Sequence, residues 1–486
     1  MRHVHLSDPR NNLDLPTTPP NMLSQSTMRR STHRILAQSP HYQVCRRLRS
    51  TKSHYHDAAL GPTIRPPVEV SSMARLPTRF LLRSFLLTSL MTSKMFLRPA
   101  LALMSVLSTS KSALLNPDRN IALNKLLRWT VYNHFCAGAN KKEVSRTVAD
   151  VKKIGYQGVI LGYSREIVLD HNEQVSGDES GATQYSKKCY EMVEEWKNGT
   201  LETLQMVGPG DFLAVKLTGA GPISVDAMMA RQPMPEVMAK AVDDICIATE
   251  KQGSRLWLDA EQQILQKGLD DWAIEIMRKH NKHETPIVYN TIQGYLKGSK
   301  ANLDQHLTLA SQEGWSLGIK LVRGAYIEHE TRSLIHDTQQ DTDRSYDLIA
   351  DTMLCQRMPA DNRDLPFPKA ALFLATHNAA SATKAIATHQ NRLLANQPTI
   401  MLECGQIQGM ADELSCELVS NYERALAESS AANLTVPKAY KCMTWGSVAE
   451  CMGYLHRRAV ENRGAVERTQ HMVNALRHEL WRRITG

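Results

Sequence analysis

Residues 317–324 read LGIKLVRG, aliphatic positions interrupted by one lysine and closed by an arginine and a glycine. Such a run is too short for a stable helix, and its residues suit a buried pleated surface, so it predicts a strand that ends in a charged turn. The fold is decided by recurrence. Runs at 158–165 (GVILGYSR), 212–219 (FLAVKLTG), 255–261 (RLWLDAE), 286–293 (PIVYNTIQ), 371–378 (ALFLATHN), 399–404 (TIMLEC) and 439–446 (AYKCMTWG) follow the same plan, with helical patterns such as 263–280 and 381–389 between them. Eight strand-then-helix units predict an α/β fold, a closed (βα)8 TIM-like barrel. An open doubly wound sheet is the alternative. It ranks lower because GYSRE, after the first run, is not a Gly-rich phosphate fingerprint.

A parallel barrel brings the carboxyl ends of its strands to one face. Polar clusters far apart in sequence then become neighbours: Lys216 and Thr218, Asp259 and Glu261, Tyr289 to Gln293, Lys320 with Arg323 and Tyr326, and Thr376-His377-Asn378. The eighth run is followed by YLHRRAVEN, in which Tyr454, Arg457, Arg458 and Glu461 fall at i, i+3, i+4 and i+7 of a helix. An isolated Arg pair is usually a solvated surface. Placed after the last strand, this one should overhang the barrel mouth, where two guanidiniums can grip a carboxylate or phosphate.

The net charge of +9 is concentrated in one part of the chain. Residues 1–117 carry sixteen Lys and Arg against four acids, +12, which leaves −3 for residues 118–486. A nucleic-acid surface is therefore not expected. Residues 1–75 are rich in Arg, Ser, Thr and Pro and poor in acids, the composition of a mitochondrial presequence, with a disordered basic tail as the alternative. Residues 80–107 are the most apolar, but Arg83, Lys94, Arg98 and Pro99 interrupt them. They predict two amphipathic helices broken at Pro99, packed on the domain or lying at a membrane surface. The expected divisions are 1–75, a helical segment 76–153, the barrel 154–470 and a helical tail 471–486. Nine cysteines without a CxxC pair read as reduced thiols of an intracellular compartment.

The chain has no GxSxG elbow, no HExxH pair and no carboxylate cluster with metal spacing, so no metal is expected. Many donors with no evident acid-base machinery suit an enzyme whose cofactor carries the chemistry. The Lys216/Asp259 pair reads equally as part of that site or as a structural ion pair.

The stretches AVKLTG, WLDAEQ, YNTIQGYLKG, GIKLVRGAY, LATHN, GQIQGM and YLHRRAVEN, in this order, resemble the mitochondrial FAD-dependent proline dehydrogenase family, fungal type, from about residue 76 to 469. The resemblance implies a distorted (βα)8 barrel with FAD at the strand ends. It also implies oxidation of L-proline to Δ1-pyrroline-5-carboxylate by hydride transfer to flavin N5, and passage of electrons to a quinone at the inner mitochondrial membrane, in peripheral contact on the matrix side. Carried over, Arg457 and Arg458 bind the proline carboxylate and Glu461 holds them. Lys216 and Asp259 line the pocket, and Tyr326 and Tyr454 wall it. Gln293, Lys320, Val322, Arg323, Gly324 and Ala325 contact the flavin and pyrophosphate, Thr342, Thr376, His377 and Asn378 touch the phosphates, ribose or adenine, and Arg458 also reaches the cofactor. One position departs: Cys442 stands where the family usually has a tyrosine against the substrate ring, and Tyr440, on the same face, lies one rung lower. This keeps open a dehydrogenase for hydroxyproline or another cyclic imino acid. More distant alternatives are a Schiff-base aldolase using Lys216 or Lys320, and a non-catalytic binding protein at the mitochondrial membrane.

Overall fold

The computed structural model describes residues 71–92, 94–110, 112–164, 185–327, 330–428, 436–463 and 466–485. The basic segment expected as a presequence lies outside them up to residue 70, and so does Arg165.

No apolar run announces the first strand, β1 (Cys136–Gly138). The eight expected strands follow as β2 (Gly158–Tyr163), β3 (Phe212–Val215), β4 (Arg255–Leu258), β5 (Val288–Gln293), β6 (Leu317–Val322), β7 (Ala370–Ala375), β8 (Met401–Ile407) and β9 (Lys438–Trp445). From β2 to β9 neighbours in the chain pair in parallel, β9 returns to β2 to close the barrel, and β8 meets β9 over only part of its length. The distortion is at that seam. Pairing of β8 with β9 ends at Ile407 opposite Cys442, and beyond it Thr444 and Trp445 pair with Cys136 and Gly138 of β1. The N-terminal segment thus fills a gap where the wall parts at the carboxyl end.

Inward residues of five strands form an aromatic floor: Phe212 lies 5.0 Å from Trp257 and 5.1 Å from Phe373, with Tyr289 and Tyr440 edge-on to it. Arg255 closes the lower end, donating to both oxygens of Glu403 (2.6 and 2.9 Å) and stacking 4.1 Å from the Phe212 ring centroid. Tyr440 donates to Glu403 (2.7 Å), so it does lie inward and low. Large aromatic rings fill this level, and the cavity lies above it.

Outside the strands, the helix Gln263–His280 buries Leu265, Leu269, Trp272, Ile276 and Met277, an i, i+4, i+7 stripe, each worth about 1.5–3 kcal/mol when removed from water. The helix Gln339–Leu354 begins with a capping box between Thr338 and Asp341. Residues 358–368 pack on the helix Ser299–Glu313 through Asn362 to Thr308 (3.2 Å) and Ser311 to the Pro366 carbonyl (2.7 Å). They form an insertion away from the strand ends.

Ahead of the barrel, the helices Thr78–Thr92 and Lys94–Thr109 correct one expectation, because the second runs through Pro99 instead of breaking there. Proline at the sixth position removes one backbone hydrogen bond, and burial of Leu101, Met104 and Leu107 further along offsets the loss. The C-terminal helix Val466–Thr485 returns to this segment: Arg483 donates to the buried carboxylate of Glu479 (2.8 Å), to Thr78 Oγ1 (2.8 Å) and to the Leu76 carbonyl (2.8 Å).

Candidate active site

Above the aromatic floor the strand ends surround a cavity of about 320 Å³. Its centre is one carboxylate. Asp259 follows β4 directly, and its amide donates to the Val215 carbonyl of β3 (2.8 Å), which fixes it beside Lys216, the first residue past that strand. Lys320, inward on β6, bonds to Asp259 and sits 4.2 Å from the Trp257 ring centroid. Lys216 Nζ lies 3.8 Å from Asp259 Oδ2 and donates to the Tyr326 hydroxyl (2.9 Å) and the Ala260 carbonyl (3.3 Å). Burial disfavours the charged form of Asp259. Lys320 and Lys216 outweigh it and hold its carboxyl below the ordinary value.

The turn after β6 builds the adjoining wall. Arg323 donates to Asp343 through Nε (2.9 Å) and Nη2 (2.7 Å), to Thr376 Oγ1 (2.8 Å) and to Ser381 Oγ (2.9 Å), and stacks 4.4 Å from the Tyr346 ring centroid. Gly324 follows at φ +155°, where a Cβ would fall 2.4 Å from the Tyr295 ring. Only glycine fits there, and backbone is left exposed to whatever fills the cavity. Thr376 Oγ1 accepts from the Asn378 amide (3.1 Å), and Asn378 caps the helix Ala379–Leu394, whose positive end lies at the cavity edge. His377 Nε2 accepts from the Ile407 amide (3.2 Å).

On the opposite side, Gly446 at φ +148° turns the chain into the helix Met452–Arg463. Met452, Leu455 and Ala459 enter an apolar cluster with Leu101, Met104 and Leu107, which turns Tyr454, Arg457 and Arg458 toward the cavity. Arg458 is buried, its guanidinium 5.2 Å from the Tyr454 ring centroid. Cys442 lines the cavity as well, and burial pushes its thiol up to about 11, Lys320 opposing that shift.

Lys216, Asp259, Lys320, Val322, Arg323, Gly324, Ala325, Tyr326, Thr376, His377, Asn378, Tyr454, Arg457 and Arg458 therefore meet in one space. Two expected residues do not line it. Gln293 ends β5 and is buried, with Nε2 reaching the Glu261 carbonyl (3.4 Å) and Oε1 without a protein partner. Thr342 lies on the helix Gln339–Leu354 and bonds back to the Thr338 carbonyl (3.4 Å). The Glu461 side chain lies outside the described residues. Trp257, Tyr163 and Gln406 also line the cavity and were not singled out. Trp257 was within reach of the sequence, since it stands two places before Asp259 on a strand and so shares its face.

A second hollow of about 480 Å³ shares His377 and Asn378 with the first and runs on past Gln339, Phe135, Met410 and Glu413. Among the described residues, no group of three His, Cys, Asp or Glu could hold a metal ion.

A (βα)8 barrel whose mouth gathers five cations, Lys216, Lys320, Arg323, Arg457 and Arg458, about one half-buried carboxylate, beside a second hollow, is an enzyme of the barrel class fitted to anionic ligands. The chain belongs to the proline dehydrogenase family: the model described as "Proline dehydrogenase" matches residues 144–471. It is 28% identical over 408 residues to the probable proline dehydrogenase, mitochondrial, of Schizosaccharomyces pombe (74% of this chain, 81% of that one). It is 28% identical over 473 residues to proline dehydrogenase 2, mitochondrial, of Arabidopsis thaliana (86% and 91%). Among solved structures, proline utilization A from Bdellovibrio bacteriovorus, inactivated by N-propargylglycine, shares the fold at a TM-score of 0.57 and 16% identity. The match covers 78% of this chain and 38% of that longer one.

Proposed function

We propose that this chain oxidises L-proline to Δ1-pyrroline-5-carboxylate in the mitochondrion with FAD as cofactor, handing electrons to a membrane quinone. The observation that carries the reading is the Arg457/Arg458 pair facing the Asp259-bridged lysines across one cavity, in a chain of this family.

The residues present fit FAD. Trp257 Nε1 is buried at the cavity wall without a protein partner, a donor of the kind a polar ring edge satisfies. Arg323, the helix end at Asn378 and the open backbone at Gly324 suit a pyrophosphate. The two hollows joined through His377 and Asn378 give length for a dinucleotide. Bound there, FAD supplies the hydride acceptor.

The remaining work falls to the chain's own groups. Arg457 and Arg458 clamp the substrate carboxylate, with Arg458 steadied on the Tyr454 ring. Tyr326 and Tyr454 wall the pocket, and the helix above them, sealed by Leu455 and Ala459, keeps water out. Lys320 provides positive charge where negative charge accumulates, and Asp259 fixes its direction. Asp259, held below its ordinary value and bonded to lysine, is a poor base at neutral pH, so the amine enters or becomes deprotonated without it. Orientation of the substrate carbon toward the acceptor then supplies much of the rate.

Purified protein should show flavin absorbance that bleaches on anaerobic addition of proline. Folded but colourless protein would overturn the reading. Cys442 favours a second substrate class, since a small thiol in the wall leaves room for a substituted ring such as 4-hydroxyproline. A kcat/KM for hydroxyproline well above that for proline would transfer the assignment to it. The aldolase reading rested on a lysine at a strand end and keeps no support once the family is known.

A further inference from the structure

After β6 the chain carries Arg323, Gly324 and Tyr326 along the cavity wall and then reaches Glu330. This segment is arranged about one side chain, Tyr295. The Tyr295 amide donates to the Arg323 carbonyl (2.7 Å), its ring fills the space a Cβ on Gly324 would need, and its hydroxyl donates to Glu330 Oε1 (3.1 Å). Burial, reinforced by the charge of Glu330, raises the Tyr295 hydroxyl above its ordinary value, so it stays protonated and donating. Glu330 is itself buried, and both its oxygens accept from the Gln263 amide (3.0 and 3.1 Å), the first of the helix Gln263–His280. Gln262 offers that helix no side-chain cap, so the carboxylate takes the place, where the helix dipole favours negative charge. Neither Tyr295 nor Glu330 lines the cavity, and neither has a part in the chemistry described above.

We propose that Glu330 is a positioning residue for the oxidation, acting through Tyr295 and the Gln263 amide on the place of Lys216 in the pocket. The proposal rests on the dehydrogenase reading for its substrate. Lys216 is held between two groups, 3.8 Å from Asp259 Oδ2 and 2.9 Å from the Tyr326 hydroxyl. Gln263 lies four residues past Asp259, and Glu330 four past Tyr326. Glu330 therefore ties together the two segments that hold the lysine, one following β4 and one following β6. A helix cap needs only the Gln263 amide. The bond to Tyr295, which also grips the turn at Arg323 and Gly324, is what connects the cap to the cavity wall. With the bridge intact, Tyr326 stays close enough to share the lysine with Asp259. Without it the Tyr326 end drifts, and Lys216 turns toward Asp259 alone.

The test uses full-length, flavin-loaded protein with rates counted per bound flavin, for wild type, Tyr295→Phe, Glu330→Gln and Glu330→Ala. Tyr295→Phe keeps the ring on Gly324 and removes one hydrogen bond to a charged group, so kcat/KM for proline should fall roughly tenfold, mostly through KM. Glu330→Gln keeps an oxygen for both donors and should lose less than Glu330→Ala. In a Tyr326→Ala background the Tyr295→Phe change should cost less than about twofold, because the group it positions is gone. Acetic anhydride labelling of Lys216, mapped by mass spectrometry, should rise severalfold in Tyr295→Phe, and it reads the geometry without the chemistry. Wild-type kcat/KM and wild-type labelling in Tyr295→Phe would overturn the proposal and leave Glu330 a helix cap. So would an equal cost of Tyr295→Phe with and without Tyr326. If Glu330→Ala loses its flavin, Tyr295→Phe carries the test by itself. A wild type that proline does not bleach would count against the dehydrogenase reading, and the labelling of Lys216 would still decide the role of Glu330.

Discussion

Replacing Asp259 by Asn nearly conserves volume and removes the negative charge between Lys320 and Lys216, leaving two ammonium groups and the Arg458 guanidinium around a neutral amide. Removing one partner of a buried ion pair costs about 3–5 kcal/mol. The Asp259 side chain is 22% exposed and those of Lys320 and Lys216 are 10% and 19% exposed. Water reaches and screens part of the group, so the expected loss is about 2–3 kcal/mol. Urea unfolding of wild type and Asp259→Asn at constant ionic strength should show this difference at pH 7. Its pH dependence follows from the sign of the shift. A carboxyl held below its ordinary value stabilises the fold fully above the unfolded value, about 3.9, and the contribution vanishes as pH falls through the lower folded value. The gap should therefore be level above about pH 4 and close in stronger acid. Equal stabilities at pH 7, or a gap that persists undiminished in acid, would refute the idea that this carboxylate organises the two lysines.

Arg457→Met and Arg458→Met should each raise the KM for proline roughly 30- to 1000-fold, the equivalent of about 2–4 kcal/mol for truncating one partner of a buried charged contact. The flavin-to-protein absorbance ratio should fall more for Arg458, which is buried, than for Arg457, which is half-buried; a wild-type KM in both would return the helix to a surface role. The Cys442 thiol, pushed up to about 11, should resist iodoacetamide at neutral pH and react only as pH approaches that value, followed by mass spectrometry. Cys442→Tyr should narrow the cavity and lower turnover of 4-hydroxyproline relative to proline; an unchanged ratio of kcat/KM would show that this wall does not select the ring.

The N-terminal segment has two structural roles here. β1 fills the parted seam between β8 and β9, and the helices beyond it supply the apolar bed on which the helix Met452–Arg463 lies. Because Leu455 and Ala459 are set in that bed, the direction of Arg457 and Arg458 depends on residues more than 300 positions earlier in the chain.

Much of the barrel was legible in the chain, because each strand carries its own local signal: a short β-branched run, a polar end, and a helix of period 3.6 after it. All eight runs became strands, and the helix 263–280 has the expected bounds. The Arg pair, the strand-end lysines and the turn at Gly324 were legible for the same reason, as residue types out of place in apolar runs. What local signal does not contain is partnership across the barrel. That Asp259 bridges Lys320 as well as Lys216, that Gln293 and Thr342 stand back from the cavity, and that Trp257 floors it follow from strand register and side-chain reach. β1 is three residues long and is held by β9 alone, too short to carry a periodic pattern. The continuation of a helix through Pro99 likewise follows from burial of the turns after it, which outweighs a local propensity to break. The sequence by itself determined which elements form and which chemistry they carry, since propensity and periodicity are properties of neighbours along the chain. Only the tertiary structure decided which charges meet, because closing the barrel sets the distances between residues that the chain keeps far apart.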